Sequence, residues 1–174
     1  MKTSVIGLAV AALIASATTA MAIGEKGSAE VKGRDGNTLG TIAIIETTAG
    51  ILLKVKLKGL PPGPHAFHIH ESKKCEGDFT AAGNIYNPLG AKHGYLNEEG
   101  PMAGDLPNLV ASATGEVDVE VLSPFVTLNK DAEETIFDVD GAAFVIFEKA
   151  DDYVSEPEGN AGQRIACGGI NQPK

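Results

Sequence analysis

The chain has 174 residues, with 23 acidic against 14 basic side chains and a formal net charge of −9. That excess of carboxylates argues against a partner that presents phosphates, so no nucleic-acid role is expected. Two Cys are too few for a thiolate zinc cluster, and four His set a ceiling on any imidazole-built metal site.

Residues 1–22 read as a secretory signal peptide. Lys2 supplies the positive start, Val5 to Ile14 a short apolar run, and Ala20-Met21-Ala22 a small-residue cleavage pattern. The run is too short to span a bilayer comfortably. Its removal leaves residues 23–174 with a net charge of −10, and no other stretch is apolar enough to cross a membrane. The expectation is a single exported domain over 23–174, free of the membrane after cleavage. A bacterial periplasm is the expected compartment, and it permits disulfides.

After a polar lead-in over 23–28 the hydrophobic period becomes two. Ala43-Ile44-Ile45 is a short apolar run of strand length. Leu53, Val55 and Leu57 alternate with Lys54, Lys56 and Lys58, and Val117, Val119 and Val121 alternate with Asp118, Glu120 and Leu122. Each pattern predicts a strand with one buried and one wet face. Ala143-Phe144-Val145-Ile146-Phe147 is a second continuous run. Turn signals separate these segments at Asp35-Gly36-Asn37, Ala49-Gly50, Pro61-Pro62-Gly63-Pro64, Thr114-Gly115 and Asp140-Gly141. No segment carries a helical period, so the fold class is all-β, an antiparallel sandwich or Greek-key barrel.

Two stretches break the rhythm: 71–107, rich in Gly, Pro and Asn, and 149–163, which is acidic. Long irregular loops in a compact domain are usually functional or tied down. Cys75 lies in the first and Cys167 beyond the second. A bridge between them would close a loop of roughly 90 residues, stabilising by about 4 kcal/mol in the loop-entropy account. Two free thiols are the alternative.

His68-Ile69-His70 ends an apolar strand, Ala66-Phe67. Strand residues i and i+2 face one side, so the two imidazoles can converge on one ion. Imidazole suits copper and zinc.

The run from Gly59 through Pro61-Pro62-Gly63-Pro64-His65-Ala66-Phe67-His68-Ile69-His70 to Glu71 resembles the copper-binding strand of copper/zinc superoxide dismutases. The same family's landmarks follow in order: Cys75; Phe79-Thr80-Ala81-Ala82-Gly83 and Tyr86-Asn87-Pro88; Lys92-His93-Gly94; Gly104-Asp105-Leu106-Pro107; Glu148-Lys149-Ala150-Asp151-Asp152; and Asn160 through Arg164 to Cys167-Gly168. The resemblance covers essentially all of 23–174. It implies an eight-stranded Greek-key β-barrel, a Cys75–Cys167 disulfide, and a zinc loop and an electrostatic loop at the two irregular stretches.

The resemblance also implies a ligand set that this chain does not complete. His68 and His70 match copper ligands, His93 and Asp105 match zinc ligands, and His65 matches a structural histidine. Asp151 matches the carboxylate that ties the two metal sites together, and Arg164 the arginine that guides superoxide. The bridging imidazole position is Ile85, one zinc histidine is Met102, and the last copper histidine is Phe147. Of the three replacements only the Met102 thioether can ligate, as a soft donor to Cu(I). Copper is therefore expected to be weak or labile on His68 and His70. Zinc is not expected at full occupancy, because His93 and Asp105 fall short of a tetrahedral set.

The function implied is an exported superoxide dismutase-like protein with lost or strongly reduced activity, superoxide being the partner if it is active. A functional dismutase with an altered copper-only site and a metal-free interaction or structural protein are the alternatives. Asp151, Asp152, Glu156 and Glu158 precede Arg164 in the second loop, which reads either as an acidic rim unsuited to an anionic substrate or as a charge run that serves solubility. Monomer and homodimer both remain open.

Overall fold

The structure is a computed structural model that describes Gly24 and residues 26–172; the segment read as a signal peptide lies outside the described residues. Nine strands follow in chain order: β1 (Lys26–Gly33), β2 (Thr38–Thr47), β3 (Gly50–Leu57), β4 (Gly63–His65), β5 (Phe67–His70), β6 (Leu109–Ala111), β7 (Val117–Ser123), β8 (Ala143–Phe147) and β9 (Arg164–Asn171). The single helical element among the described residues is a 3-10 turn at Thr80–Ala82. No helix there is long and apolar enough to cross a membrane.

All ladders are antiparallel. Seven strands run in the order β5-β8-β9-β1-β2-β3-β7, and β4 pairs with β6. β4 and β5 are one strand interrupted at Ala66, so the expected eight strands appear as nine. With β4 continuing β5, the sheet curls round to β6. β6 and β7 are joined through the Ser112–Glu116 turn, where Ser112 N–H donates to the Glu116 carbonyl at 2.9 Å. β3 lies beside β7 rather than β4, the non-sequential neighbour of a Greek key.

The period-two reading holds on β3, where Ile51, Leu53, Val55 and Leu57 are buried. Lys54 and Lys56 face outward and pair across the ladder with Glu120 and Asp118. It holds less well on β7. Val117 is buried, but Val119 is 39% exposed and Val121 only half-buried. β7 is the last strand of its sheet and pairs with β3 alone, so its middle has less cover than the alternation predicts.

β8 is buried at every position because it has a core on each side. Phe144 and Ile146 join the main core with Phe67, Ile69, Ile42 and Leu53. Ala143, Val145 and Phe147 face outward into a second cluster with Phe79, Ala82 and Cys167, roofed by the loops. β5 behaves alike: Phe67 and Ile69 point in, so His68 and His70 point out, yet both are fully buried under the same roof. The disulfide pins that roof. Cys75 and Cys167 are bonded with Cα atoms 5.6 Å apart, across 92 positions of sequence.

A third irregular segment, 124–142, was not singled out in the sequence. It is fastened by Glu46, a buried carboxylate on β2 that accepts from Leu128 N–H at 2.7 Å and Thr127 Oγ1–H at 2.8 Å. Tyr86 Oη–H donates to the Thr135 carbonyl at 2.7 Å and joins this segment to the first loop.

Candidate metal centre

The site lies on the outer face of β5 and β8. His68 and His70 are two residues apart on β5, with ring centroids 6.3 Å apart. Phe147 leans against both, 5.3 Å from His68 and 5.9 Å from His70, so an apolar ring occupies the wall where the resemblance placed a third copper histidine. Ile85 is buried and sits opposite His70 in an isolated bridge. Met102 is half-buried, and its backbone N–H donates to Asp105 Oδ2 at 2.9 Å. Its side chain lines a cavity of about 590 Å³ together with Ile85 and the carboxylates of Glu71, Glu133, Asp138 and Glu158.

Hydrogen bonding fixes which imidazole nitrogens are free. His68 Nε2 lies 3.0 Å from Asp151 Oδ2, and a carboxylate oxygen accepts, so Nε2 carries the proton. His70 Nδ1 lies 2.9 Å from the Gly83 carbonyl and donates to it. The other nitrogen of each ring, His68 Nδ1 and His70 Nε2, is buried and has no partner. Buried polar atoms are rarely left so. Two lone pairs two residues apart on one strand can serve as donors to one metal ion. Burial holds His70 neutral, lowering its pKa to about 3 with the Arg164 charge acting the same way.

His93 is arranged differently. Its Nδ1 lies 2.8 Å from Asp105 Oδ1 and its Nε2 3.0 Å from Asp151 Oδ1. Burial opposes its charge, but hydrogen bonds to Asp105 and Asp151 outweigh that and raise the pKa to about 10. Burial would likewise raise the Asp151 pKa. The hydrogen bonds from His68 and His93 overcome it and hold the carboxyl well below the usual range. Asp151 thus joins the two histidines through its two oxygens, and Asn108 grips its backbone from both sides. Gly159 makes room for it, since a Cβ there would run into Asp151 Oδ1.

The remaining residues are placed as follows. His65 has ring nitrogens 2.8 Å from the Phe147 and Pro61 carbonyls, so both are engaged by backbone. Arg164 donates to the Phe79 and Gly83 carbonyls and forms a 2.6 Å ion pair with Glu158, all half-buried. Sequence reasoning assigned His68 to one half-site and His93 and Asp105 to another. The structure brings one ligand atom from each of these three within 4.8 Å of one another. The isolated bridge between His68 and Asp105 closes that gap, and no local motif announces it.

Both the sequence and the fold match known proteins. The family model described as copper/zinc superoxide dismutase matches residues 38–170. "Superoxide dismutase [Cu-Zn] 2" of Aquifex aeolicus is 49% identical over 147 residues, 83% of this chain and 86% of that one. "Superoxide dismutase-like protein YojM" of Bacillus subtilis is 44% identical over 140 residues, 79% of this chain and 71% of that one. The crystal structure of a double mutant of a superoxide dismutase-like protein from Bacillus subtilis superposes with a TM-score of 0.80 at 43% identity, covering 82% of this chain and 95% of that one. Sequence and fold agree over most of the chain's length, and the chain belongs to the copper/zinc superoxide dismutase family.

Proposed function

We propose that this is an exported superoxide dismutase-like protein that holds copper on His68 and His70 and has lost the fast dismutation of its family. The carrying observation is the pair of buried, unpartnered nitrogens, His68 Nδ1 and His70 Nε2. They fit copper, whose lower oxidation state accepts few, soft or imidazole ligands. The full binuclear centre does not fit: Ile85 and Phe147 offer no donor atoms, and Met102 offers one thioether at most.

Copper, when bound, supplies one-electron redox chemistry. The chain's own residues prepare for it and restrain it. Asp151 and the Gly83 carbonyl orient the two rings and set their tautomers. Phe147 and Ile85 dry the surroundings. At the position where the family carries a proton on a bridging imidazole there is only the Ile85 side chain. Arg164, the match to the superoxide-guiding arginine, is neutralised by Glu158. These features favour retention, buffering or delivery of copper over turnover. Export is supported by the signal-peptide pattern of residues 1–22.

The test loads the metal-free protein with copper, dialyses it against a mild chelator, and assays copper content and dismutation. One retained copper with turnover at least 100-fold below a family enzyme is expected. Retention with family-level turnover would overturn the loss of activity. No retained copper would overturn the copper site.

A further inference from the structure

Neither half of the family's binuclear centre is complete in this chain, yet folding gathers ligands from both halves. A ring nitrogen of His68, a ring nitrogen of His93 and an oxygen of Asp105 lie within 4.8 Å of one another, and all three residues are buried. The rings of His68 and His93 meet edge to face with centroids 5.4 Å apart. The imidazole that would keep two ions distinct is replaced by Ile85.

We propose that His68, His93 and Asp105 form one zinc-type divalent site, a hybrid of the two ancestral half-sites. Asp151 accepts a hydrogen bond from Nε2–H of both histidines, which leaves Nδ1 of each ring as the nitrogen able to ligate. A carboxylate behind a ligating imidazole is the usual support of a metal histidine. Asp105 is positioned as well: Gly94 N–H and Met102 N–H hold Oδ2 at 2.8 and 2.9 Å, leaving Oδ1 toward His93. The ion displaces the proton that now lies between His93 Nδ1 and Asp105 Oδ1, so each binding event releases one proton. Two imidazole nitrogens, one carboxylate oxygen and a free fourth position make a familiar zinc coordination. Two buried carboxylates, Asp105 and Asp151, supply the charge that a dication needs, whereas the His68–His70 pair has Asp151 alone beside it.

His68 Nδ1 is common to this site and to the copper pair. A zinc ion here and a cuprous ion on His68 and His70 therefore exclude each other. That exclusion, though not the zinc site itself, rests on the copper reading above.

The experiment titrates the metal-free protein with Co(II), read by its visible ligand-field bands, and displaces the cobalt with Zn(II). One tetrahedral-type Co(II) per chain, displaced by one Zn(II), is expected. His93→Gln should weaken zinc binding by about 10- to 100-fold or more, while His70→Gln should abolish cuprous binding and retain one zinc. Asp105→Asn, which keeps a side-chain oxygen for the Gly94 and Met102 N–H groups, serves as a second loss variant if His93→Gln melts early. No metal taken up at micromolar concentration, or zinc lost with His70→Gln but kept in both loss variants, would overturn the hybrid site. Simultaneous retention of one zinc and one cuprous ion would overturn the exclusion. Zinc bound with no copper retained would leave the hybrid site standing and sink the copper reading alone.

Discussion

Arg164 and Glu158 form an ion pair at 2.6 Å, with their side chains 13% and 25% exposed. The Arg164 cation is thus answered within the same loop region by a carboxylate, and the guanidinium is further bound to the Phe79 and Gly83 carbonyls. The Gly83 carbonyl also accepts from His70 Nδ1–H, so the arginine braces β5 as much as it charges the surface.

Restoring the missing imidazoles separates ligand loss from charge loss. The triple variant Ile85→His, Met102→His and Phe147→His should regain zinc and raise dismutation by roughly 100-fold or more, the scale of a missing proton-transfer group. Adding Glu158→Gln should raise the rate severalfold more at low ionic strength and make it fall with salt. Stopped-flow decay of superoxide against ionic strength measures both. A restored triple variant whose rate already falls steeply with salt would show that Glu158 does not mask Arg164.

The disulfide should carry a large share of the stability. Closing a loop across 92 positions is worth about 4–5 kcal/mol in the chain-entropy account. Denaturant midpoints of Cys75→Ser with Cys167→Ser, compared with the oxidised protein, give the value. The loss should be accompanied by faster amide exchange at Phe79–Gly83, which the bridge holds over the histidines. A change below about 1 kcal/mol would mean that packing alone fastens that loop.

Two histidines set the pH range of the metal-free protein. His70 has a folded pKa lowered to about 3, from 6.5. The unfolded chain therefore binds its proton first, and the stability it contributes is complete above 6.5 and lost as pH falls toward 3. His93 has a folded pKa raised to about 10. Its contribution is complete below 6.5 and lost as pH rises through 10. Thermal midpoints should peak near pH 6.5 and decline on both sides. His70→Gln should flatten the acid side between 6.5 and 4, and an unchanged acid side would refute the assignment.

Glu46 should matter although it lies far from the histidines. Glu46→Ala strands the buried Leu128 N–H and frees the 124–142 segment, at a cost of about 1–3 kcal/mol. Urea denaturation reads the loss, and a difference within about 0.5 kcal/mol would mean that water replaces the carboxylate.

Local pattern carried most of the architecture. Alternation located β3, the apolar run located β8, and the absence of alternation located the two loops that roof the site. The Cys75–Cys167 pairing came from family resemblance, not from spacing. What was not legible depends on distance through space. Val119 reads as buried, but its strand ends a sheet and lacks a covering neighbour. The 124–142 segment is fastened by the Tyr86 hydroxyl and by the Glu46 carboxylate, the latter 82 residues before Leu128, and no motif marks either tie. His68 reads as half of a pair with His70, and only the fold places it beside His93 and Asp105 as well.

The chain presents two bare imidazole nitrogens, His68 Nδ1 and His70 Nε2, side by side on β5. Long-range proton–nitrogen NMR spectra of the metal-free protein at neutral pH test it directly. The expected result is His68 protonated on Nε2 and bare on Nδ1, His70 protonated on Nδ1 and bare on Nε2, and a shift of both bare nitrogens when one equivalent of Cu(I) is added. The opposite tautomer at either ring, or bare nitrogens indifferent to Cu(I), would contradict it.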